Sequence, residues 1–173
     1  MKRIAIVGIG NRLMGDDGFS SYIAEALEGN VKGCDVIDLG SAGVSAIEVL
    51  KDYDVVIIID AVLSDKDFEI SKMDLEIDSD EITSTVLDYE YSGSHGLGIQ
   101  SVLTTLKIMG YNPVVYLIGC KPYLLEPRIG LSQELKSKIG QIVQQIADFL
   151  KGLGIQVDVD GVKKKIEKVI SAD

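Results

Sequence analysis

One short run of residues restricts the fold more than any other: Val55-Val56-Ile57-Ile58-Ile59 is an uninterrupted series of β-branched residues. A strand that is apolar at every position is typical of a central parallel strand covered on both faces. We therefore predict a three-layer α/β sandwich, with a central, mostly parallel sheet and helices on both sides. The run ends in Asp60. This acid lies where ligands bind in such sheets, although it could also simply cap a turn.

The N-terminal segment predicts a ligand-binding loop at the carboxyl end of that sheet. The apolar strand Ile4–Val7 is followed by a glycine-containing loop, residues 8–18, and then by a helix. The first two glycines of the loop fit a dinucleotide fingerprint, but Leu13 occupies the third position and no G-K-[ST] follows. Asp16 and Asp17 stand where a phosphate would approach the helix. Two carboxylates there favour a cation over an anion, and simple helix capping is the structural alternative.

The rest of the chain supplies further strands and helices of the same fold. Strand-like segments and apolar residues at helical spacing predict the following elements in chain order: a helix from Phe19 to Leu27, a strand from Cys34 to Leu39, a short helix from Val44 to Leu50, a helix from Ile99 to Met109, a strand from Val114 to Ile118 and a helix capped by Ser132 that runs to Leu150. Because parallel strands end at one edge, the loops after them are expected to lie side by side.

One strand is expected to run against the others. About six residues separate the strand at Val55–Ile59 from the extended segment Asp67–Ile77, and a parallel crossover needs a dozen or more. Asp67–Ile77 is therefore predicted to be antiparallel. The next segment, Thr83–Tyr91, would return in the original direction and deliver His95 to the edge that holds Asp60.

His95 is the single histidine of the chain, and it lies in a polar Gly/Ser loop. A lone histidine is more often structural, but this one is predicted to approach Asp17 and Asp60. Two carboxylates and one imidazole suit a borderline divalent ion such as Ni²⁺, Zn²⁺ or Mn²⁺. A Ser/His/Asp hydrolase, with Ser41 or Ser94 as nucleophile, ranks lower because the chain has no G-x-S-x-G turn.

Composition limits the partners. The 173 residues carry a formal net charge of -10, which argues against an open nucleic-acid or anionic-membrane surface. No apolar run approaches the roughly 20 residues that span a bilayer, so a cytoplasmic protein is expected. Cys34 and Cys120 have no metal-site spacing and are interpreted as two buried thiols in a reducing compartment.

The segment after Leu150 is expected to differ from the α/β domain, which is predicted to span residues 1–150. Residues 151–173 contain five lysines and four acids, and their spacing predicts a short basic amphipathic helix. A solvated terminal helix is favoured over a partner-binding arm, and docking on the acidic domain is a third possibility.

Taken together, these residues resemble the hydrogenase maturation protease family, the endopeptidases that process the large subunit of [NiFe]-hydrogenases. The resemblance covers about residues 3–150 and is carried by five features in order: Gly8-Ile9-Gly10-Asn11 through Gly15-Asp16-Asp17-Gly18, the loop from Asp38 to Gly43, the strand ending at Asp60, Ser94-His95-Gly96, and Gly119-Cys120-Lys121-Pro122. Each feature alone is weak, but their order and spacing are specific. The tail after Leu150 lies outside the pattern.

The resemblance implies an aspartyl-type, metal-binding hydrolase in which Asp17, Asp60 and His95 bind nickel. The nickel would be supplied within the substrate, the [NiFe]-hydrogenase large-subunit precursor, although other divalent ions could occupy the site. The enzyme, expected to be a monomer, would then remove the precursor's C-terminal extension. Asp17 or Asp38 could act as the catalytic base, or the metal could polarise the scissile carbonyl.

The resemblance also implies a set of residues that bind the substrate: Asn11, Gly40, Gly43 and Gly96. Two functional classes remain open at this point. One is the metal-dependent processing endopeptidase, and the other is a noncatalytic α/β module that binds a nucleotide or a hydrogenase subunit.

Overall fold

The computed structural model describes residues 2–40, 45–73 and 99–173. Its strands are β1 (Ile4–Ile9), β2 (Val31–Lys32), β3 (Asp35–Gly40), β4 (Val55–Ala61), β5 (Phe68–Met73), β6 (Val114–Cys120) and β7 (Gln156–Val157). Its helices are α1 (Phe19–Leu27), α2 (Ser45–Leu50), α3 (Ile99–Ile108), α4 (Gln133–Gly152) and α5 (Val159–Ser171), with a 3₁₀ turn at Gly15–Gly18.

Five of the described strands form the main sheet, in the order β3-β1-β4-β6-β5. The first four are parallel, and β5 runs antiparallel to β6. This arrangement confirms the predicted fold class and the antiparallel segment, within the part of that segment that is described. The predicted strand Thr83–Tyr91 lies outside the described residues.

Helices cover both faces of the sheet, which explains the apolar run in β4. Ile57 and Ile59 belong to a buried cluster with residues of α1, α4 and α5, whereas Val56 and Ile58 belong to a second cluster with residues of α2 and α3. All four side chains are fully buried. Burial on both faces leaves no position in the middle of the strand for a polar side chain, so the first acid comes at Asp60.

The segment after Leu150 packs on the rest of the chain. β7 pairs antiparallel with β2, so that Val157 lies beside Val31. Three apolar residues of α5 are buried in the same cluster as α1, namely Val162, Ile166 and Val169. The amphipathic helix is therefore present and docked, with its apolar face covered. The domain boundary at residue 150 stays a prediction.

Two smaller features bear on the sequence-based expectations. Cys120 is buried and Cys34 is half-buried, and both are free thiols in the described part of the chain. Burial, with a smaller contribution from the Asp16 carboxylate, raises the pKa of Cys120 to about 12, so its thiol stays protonated at neutral pH. No helix within residues 2–40, 45–73 and 99–173 is long and apolar enough to cross a membrane.

Candidate active site

The carboxyl ends of β1, β3, β4 and β6 form one edge of the sheet, which we call the carboxyl edge. In the strand register Asp60 lies between Ile9 of β1 and Gly119 of β6. The loop after β1 folds back over this edge, and a Cβ atom at Gly10 would overlap the carbonyl oxygen of Asp17. The backbone N–H of Asn11 donates to Asp17 Oδ2 at 2.9 Å. Glycine at position 10 thus lets the turn that carries Asp17 close onto the sheet.

The two carboxylates of this edge influence each other. Burial and, to a smaller extent, the negative charge of Asp17 raise the pKa of Asp60 to about 7, although the backbone N–H of Ala61 partly offsets both. Asp17 is half-buried. A second carboxylate beside a buried acid is an unfavourable arrangement until a proton or a cation compensates it. The pair is therefore suited to holding a cation or to exchanging a proton near neutral pH.

Asp16 differs from its neighbour. It is fully buried, and its carboxylate accepts four hydrogen bonds: from the backbone N–H groups of Tyr123 (2.8 Å), Leu124 (3.1 Å) and Ser132 (2.7 Å) and from the Ser132 hydroxyl (2.7 Å). The expectation that both loop carboxylates face a cation is therefore wrong for Asp16. The hydrogen bonds that its carboxylate accepts hold the loop between β6 and α4 against the turn after β1.

Asp38 lies near the end of β3, exposed and held at both carboxylate oxygens. The Gly40 N–H donates to Oδ1 at 3.1 Å and the Ser21 hydroxyl donates to Oδ2 at 2.6 Å. Arg12 Nε in turn donates to Ser21 Oγ at 2.8 Å. Because a guanidinium can only donate, it leaves the Ser21 hydroxyl hydrogen directed at Asp38. This chain of donors fixes the orientation of a candidate catalytic carboxylate.

Arg12 is itself held from several sides. Its guanidinium also donates to the Ser21 carbonyl oxygen at 3.2 Å, forms an ion pair with Glu25 and stacks 4.2 Å from the centroid of the Tyr22 ring. The Tyr22 hydroxyl donates to the carboxylate of Asp173, and burial followed by this hydrogen bond raises the pKa of Tyr22 to about 12. The contacts that support the orientation of Asp38 thus extend to Asp173, two residues after α5.

The candidate substrate-binding loops lie together. Gly10 N–H donates to the Gly40 carbonyl oxygen at 3.0 Å, which joins the loop after β1 to the end of β3. Asn11 Oδ1 accepts from the Leu13 N–H at 2.9 Å, and this bond orders the loop internally. The predicted adjacency of the two loops is thereby confirmed for the part that is described.

The remaining predicted site residues lie outside the described residues: His95, Gly43 and Gly96, together with the alternative nucleophiles Ser41 and Ser94. Of the predicted metal ligands, Asp17 and Asp60 lie within them. Within residues 2–40, 45–73 and 99–173, no group of three or more His, Cys, Asp or Glu side chains is placed to hold a metal ion. The described residues therefore supply two of the three predicted ligands.

Sequence reasoning missed the roles of Ser21 and Arg12. Ser21 occupies an ordinary position of a covering helix, and Arg12 is one of many charged residues in loops. The signal that could have found Ser21 is a polar residue on the buried face of α1, where Phe19, Tyr22 and Ile23 form the apolar stripe. For Arg12 the sequence offers no comparable signal.

Two solved structures of similar fold are peptidases. The hydrogenase maturating endopeptidase HybD from Escherichia coli superposes with a TM-score of 0.71 at 30% identity, covering 89% of this chain and 95% of that chain. A [NiFe] hydrogenase maturation protease, HycI from Thermococcus kodakarensis, gives a TM-score of 0.65 at 26% identity, covering 87% and 93% of the two chains. Fold and carboxyl edge together place this chain among the peptidase hydrolases.

The family follows from the sequence comparison. A family model described as hydrogenase maturation protease, HycI, matches residues 21–149. The Hydrogenase 2 maturation protease of Escherichia coli strain K12 is 32% identical over 158 residues, which covers 89% of this chain and 94% of the relative. The chain belongs to the hydrogenase maturation protease family. This confirms the resemblance seen in the sequence and decides for an endopeptidase against a noncatalytic binding module.

Proposed function

We propose that this endopeptidase removes the C-terminal extension from a nickel-loaded [NiFe]-hydrogenase large-subunit precursor. We further propose that it recognises the nickel of that substrate through Asp17, Asp60 and His95. The observation that carries the proposal is the placement of Asp17 and Asp60, which come from different elements and meet at the carboxyl edge. Membership of the hydrogenase maturation protease family supports the reaction type.

The donor set fits a divalent ion held by the substrate. Each carboxylate brings a negative charge into a half-buried site, and an added cation would compensate the repulsion between them. Ni²⁺ accepts both oxygen and imidazole nitrogen ligands. Three ligands from the enzyme leave coordination positions for groups of the substrate, so that nickel would be shared between the two proteins.

Hydrolysis requires a base that takes a proton from the attacking water. Asp38 is a good candidate because both of its oxygens are oriented by donors while the residue stays exposed to solvent. Asp17 is the alternative, although its Oδ2 accepts the Asn11 N–H and the proposal already assigns it to the metal. In either case the carboxylate accepts the water proton as the oxygen attacks the scissile carbonyl, and the proton passes to the leaving amine. The substrate's nickel would place the precursor so that the scissile bond lies over this edge.

Selective cleavage of the loaded precursor is the first prediction. Asp17→Asn removes one charged ligand and His95→Ala removes the neutral one, so both variants should abolish processing while remaining folded. The measurement is the mobility shift of purified precursor on a gel, with and without nickel, after incubation with each enzyme. Asp148→Asn makes the same chemical change on an exposed part of α4 and should retain full activity.

Two results would refute the proposal. Equal processing of the nickel-free precursor would show that the enzyme does not recognise the nickel of its substrate. Full activity of both ligand variants would show that Asp17 and His95 do not bind a metal that the reaction needs.

A further inference from the structure

Large apolar side chains are exposed unevenly along the described chain. Leu13 is 60% exposed, Ile129 is 56% exposed and Leu125 is 48% exposed, and all three lie in loops that follow parallel strands. Leu13 is in the loop after β1 that carries Asp17, and the other two are in the loop between β6 and α4. Single exposed apolar residues are ordinary, but a contiguous group of them marks an interaction surface.

The two loops that carry these three residues are joined by backbone hydrogen bonds. The Arg128 N–H donates to the Leu13 carbonyl oxygen at 2.9 Å, and the Gly15 N–H donates to the Arg128 carbonyl oxygen at 2.8 Å. Met14 and Arg128 thereby form a parallel bridge, with the spacing of about 5 Å found between neighbouring strands. The Asp16 N–H donates to the carbonyl oxygen of Leu124, the residue before Leu125, at 2.8 Å.

The Asp16 carboxylate anchors the loop that carries two of these residues. Its four hydrogen bonds run to Tyr123 and Leu124, shortly after β6, and to Ser132, the last residue before α4, so the loop is held on both sides of Leu125 and Ile129. A surface that is already ordered loses little conformational entropy when a partner binds to it. We call Leu13, Leu125 and Ile129 the apolar platform. Glu126 and Arg128 are exposed beside it, which gives an apolar centre with a charged rim, as in protein interfaces.

We infer that the apolar platform binds an apolar segment of the substrate polypeptide next to the scissile bond. This inference rests on the proposed function. It adds a second contact, made by the substrate polypeptide, to the contact through the substrate's nickel. The occupant is a substrate chain because a peptidase must hold a polypeptide across the carboxyl edge, and Leu13 lies four residues from Asp17 on the same loop. A second copy of this chain is the competing occupant.

The test uses the full chain with three polar substitutions, Leu13→Gln, Leu125→Gln and Ile129→Gln, made singly and together. The matched control is the pair Ile108→Gln and Met109→Gln, which are 58% and 53% exposed. Ile108 is the last residue of α3 and Met109 follows it, ahead of β6 and towards the opposite edge of the sheet, where the Val114 N–H donates to the Asp54 carbonyl oxygen. Circular dichroism and thermal unfolding establish that every variant is folded.

The expected result is that the triple variant raises the KM for nickel-loaded precursor about tenfold, with kcat unchanged, because lost apolar contact weakens binding without touching the carboxylates. The control pair should match wild type. Wild-type KM in the triple variant would overturn the inference, as would a fall in kcat at constant KM. A wild-type dimer that the triple variant converts to monomer, measured by analytical ultracentrifugation, would assign the platform to a second copy and also overturn it. If the wild-type enzyme itself leaves the precursor uncut, the proposed function fails instead.

Discussion

Two acids of the carboxyl edge, Asp16 and Asp60, show how differently one side chain can be used. Asp16 is fully buried with four donors around its carboxylate, so its charge is compensated by the protein itself. Asp60 is half-buried beside a second carboxylate, and its pKa is raised to about 7. The first acid stabilises the fold, and the second is destabilising until a proton or a cation arrives. The hydrogen-bond donors around a buried carboxylate therefore decide whether the protein itself compensates its charge.

The largest effect on stability is expected from removing the first acid. Asp16→Ala leaves three backbone N–H groups and the Ser132 hydroxyl without their acceptor, and the two donors of Ser132 are buried. We expect a loss of about 3–5 kcal/mol in the free energy of unfolding, measured by urea denaturation. Asp17→Asn is the control, because the asparagine oxygen can still accept the Asn11 N–H and loss of the charge relieves repulsion with Asp60, so the cost should stay below about 1 kcal/mol. Similar losses in the two variants would remove the contrast drawn above.

Removal of the second acid, Asp60, should raise the free energy of unfolding, whereas removal of Asp16 lowers it. The folded-state pKa of Asp60 lies above the value of 3.8 expected for an unfolded chain, so the folded protein binds this proton more tightly. The contribution of Asp60 to stability therefore falls as pH rises from about 4 to about 7, and the full cost is present above pH 7. Asp60→Asn removes that cost. It should stabilise the metal-free protein by about 2 kcal/mol at pH 8, and the gain should vanish towards pH 4.

Urea denaturation of the wild type and the Asp60→Asn variant at pH 8 and at pH 5 measures this difference. Asp67 provides the control, because the hydrogen bond and the charge of Lys138 lower its pKa. Asp67→Asn should therefore destabilise the protein at pH 8, and the loss should shrink as pH falls through the acidic range. A stability gain from Asp60→Asn that is the same at both pH values would contradict the assignment of an uncompensated acid.

The smallest effect concerns a third acid, Asp38, which lies between these extremes because it is exposed but oriented. Ser21→Ala removes the hydroxyl that donates to Asp38 Oδ2 at 2.6 Å. If Asp38 is the base, kcat should fall about fivefold with KM unchanged, since the carboxylate remains but loses its orientation. Glu25→Gln is the comparison, because it weakens the ion pair of Arg12 but leaves the Ser21 hydroxyl in place, so kcat should fall by less than in Ser21→Ala. An unchanged kcat in Ser21→Ala would favour another base.

Much of the fold could be predicted from the sequence because its signals are local. The apolar run before Asp60 identified the central strand β4, and the short connection after it identified β5 as the antiparallel strand, which pairs with β6. The Ser132 cap was also predictable, and its hydroxyl does accept the Leu135 N–H at 3.2 Å. The two-residue strands β2 and β7 were missed, because segments of that length have no periodicity to detect.

The candidate site was less predictable, because its geometry depends on contacts between distant parts of the chain. Asp16 and Asp17 are adjacent in sequence and look equivalent there, yet the donors of Asp16 come from residues 123–132. The position of Asp60 followed from strand direction, which is a local property. The raised pKa did not, because it depends on burial by the complete fold and on the approach of Asp17.

The pairing of β2 with β7 also affects the order in which the protein can fold during synthesis. α1 buries Tyr22, Ile23 and Leu27 in a cluster that is completed by Ile155, Val162 and Ile166, which the ribosome adds more than a hundred residues later. Until then, the first helix emerges with part of its apolar face uncovered. Such late closure slows folding and leaves a nascent chain open to association with other chains. The N-terminal third of this protein, although it carries most of the candidate site, therefore reaches its native packing among the last parts of the molecule.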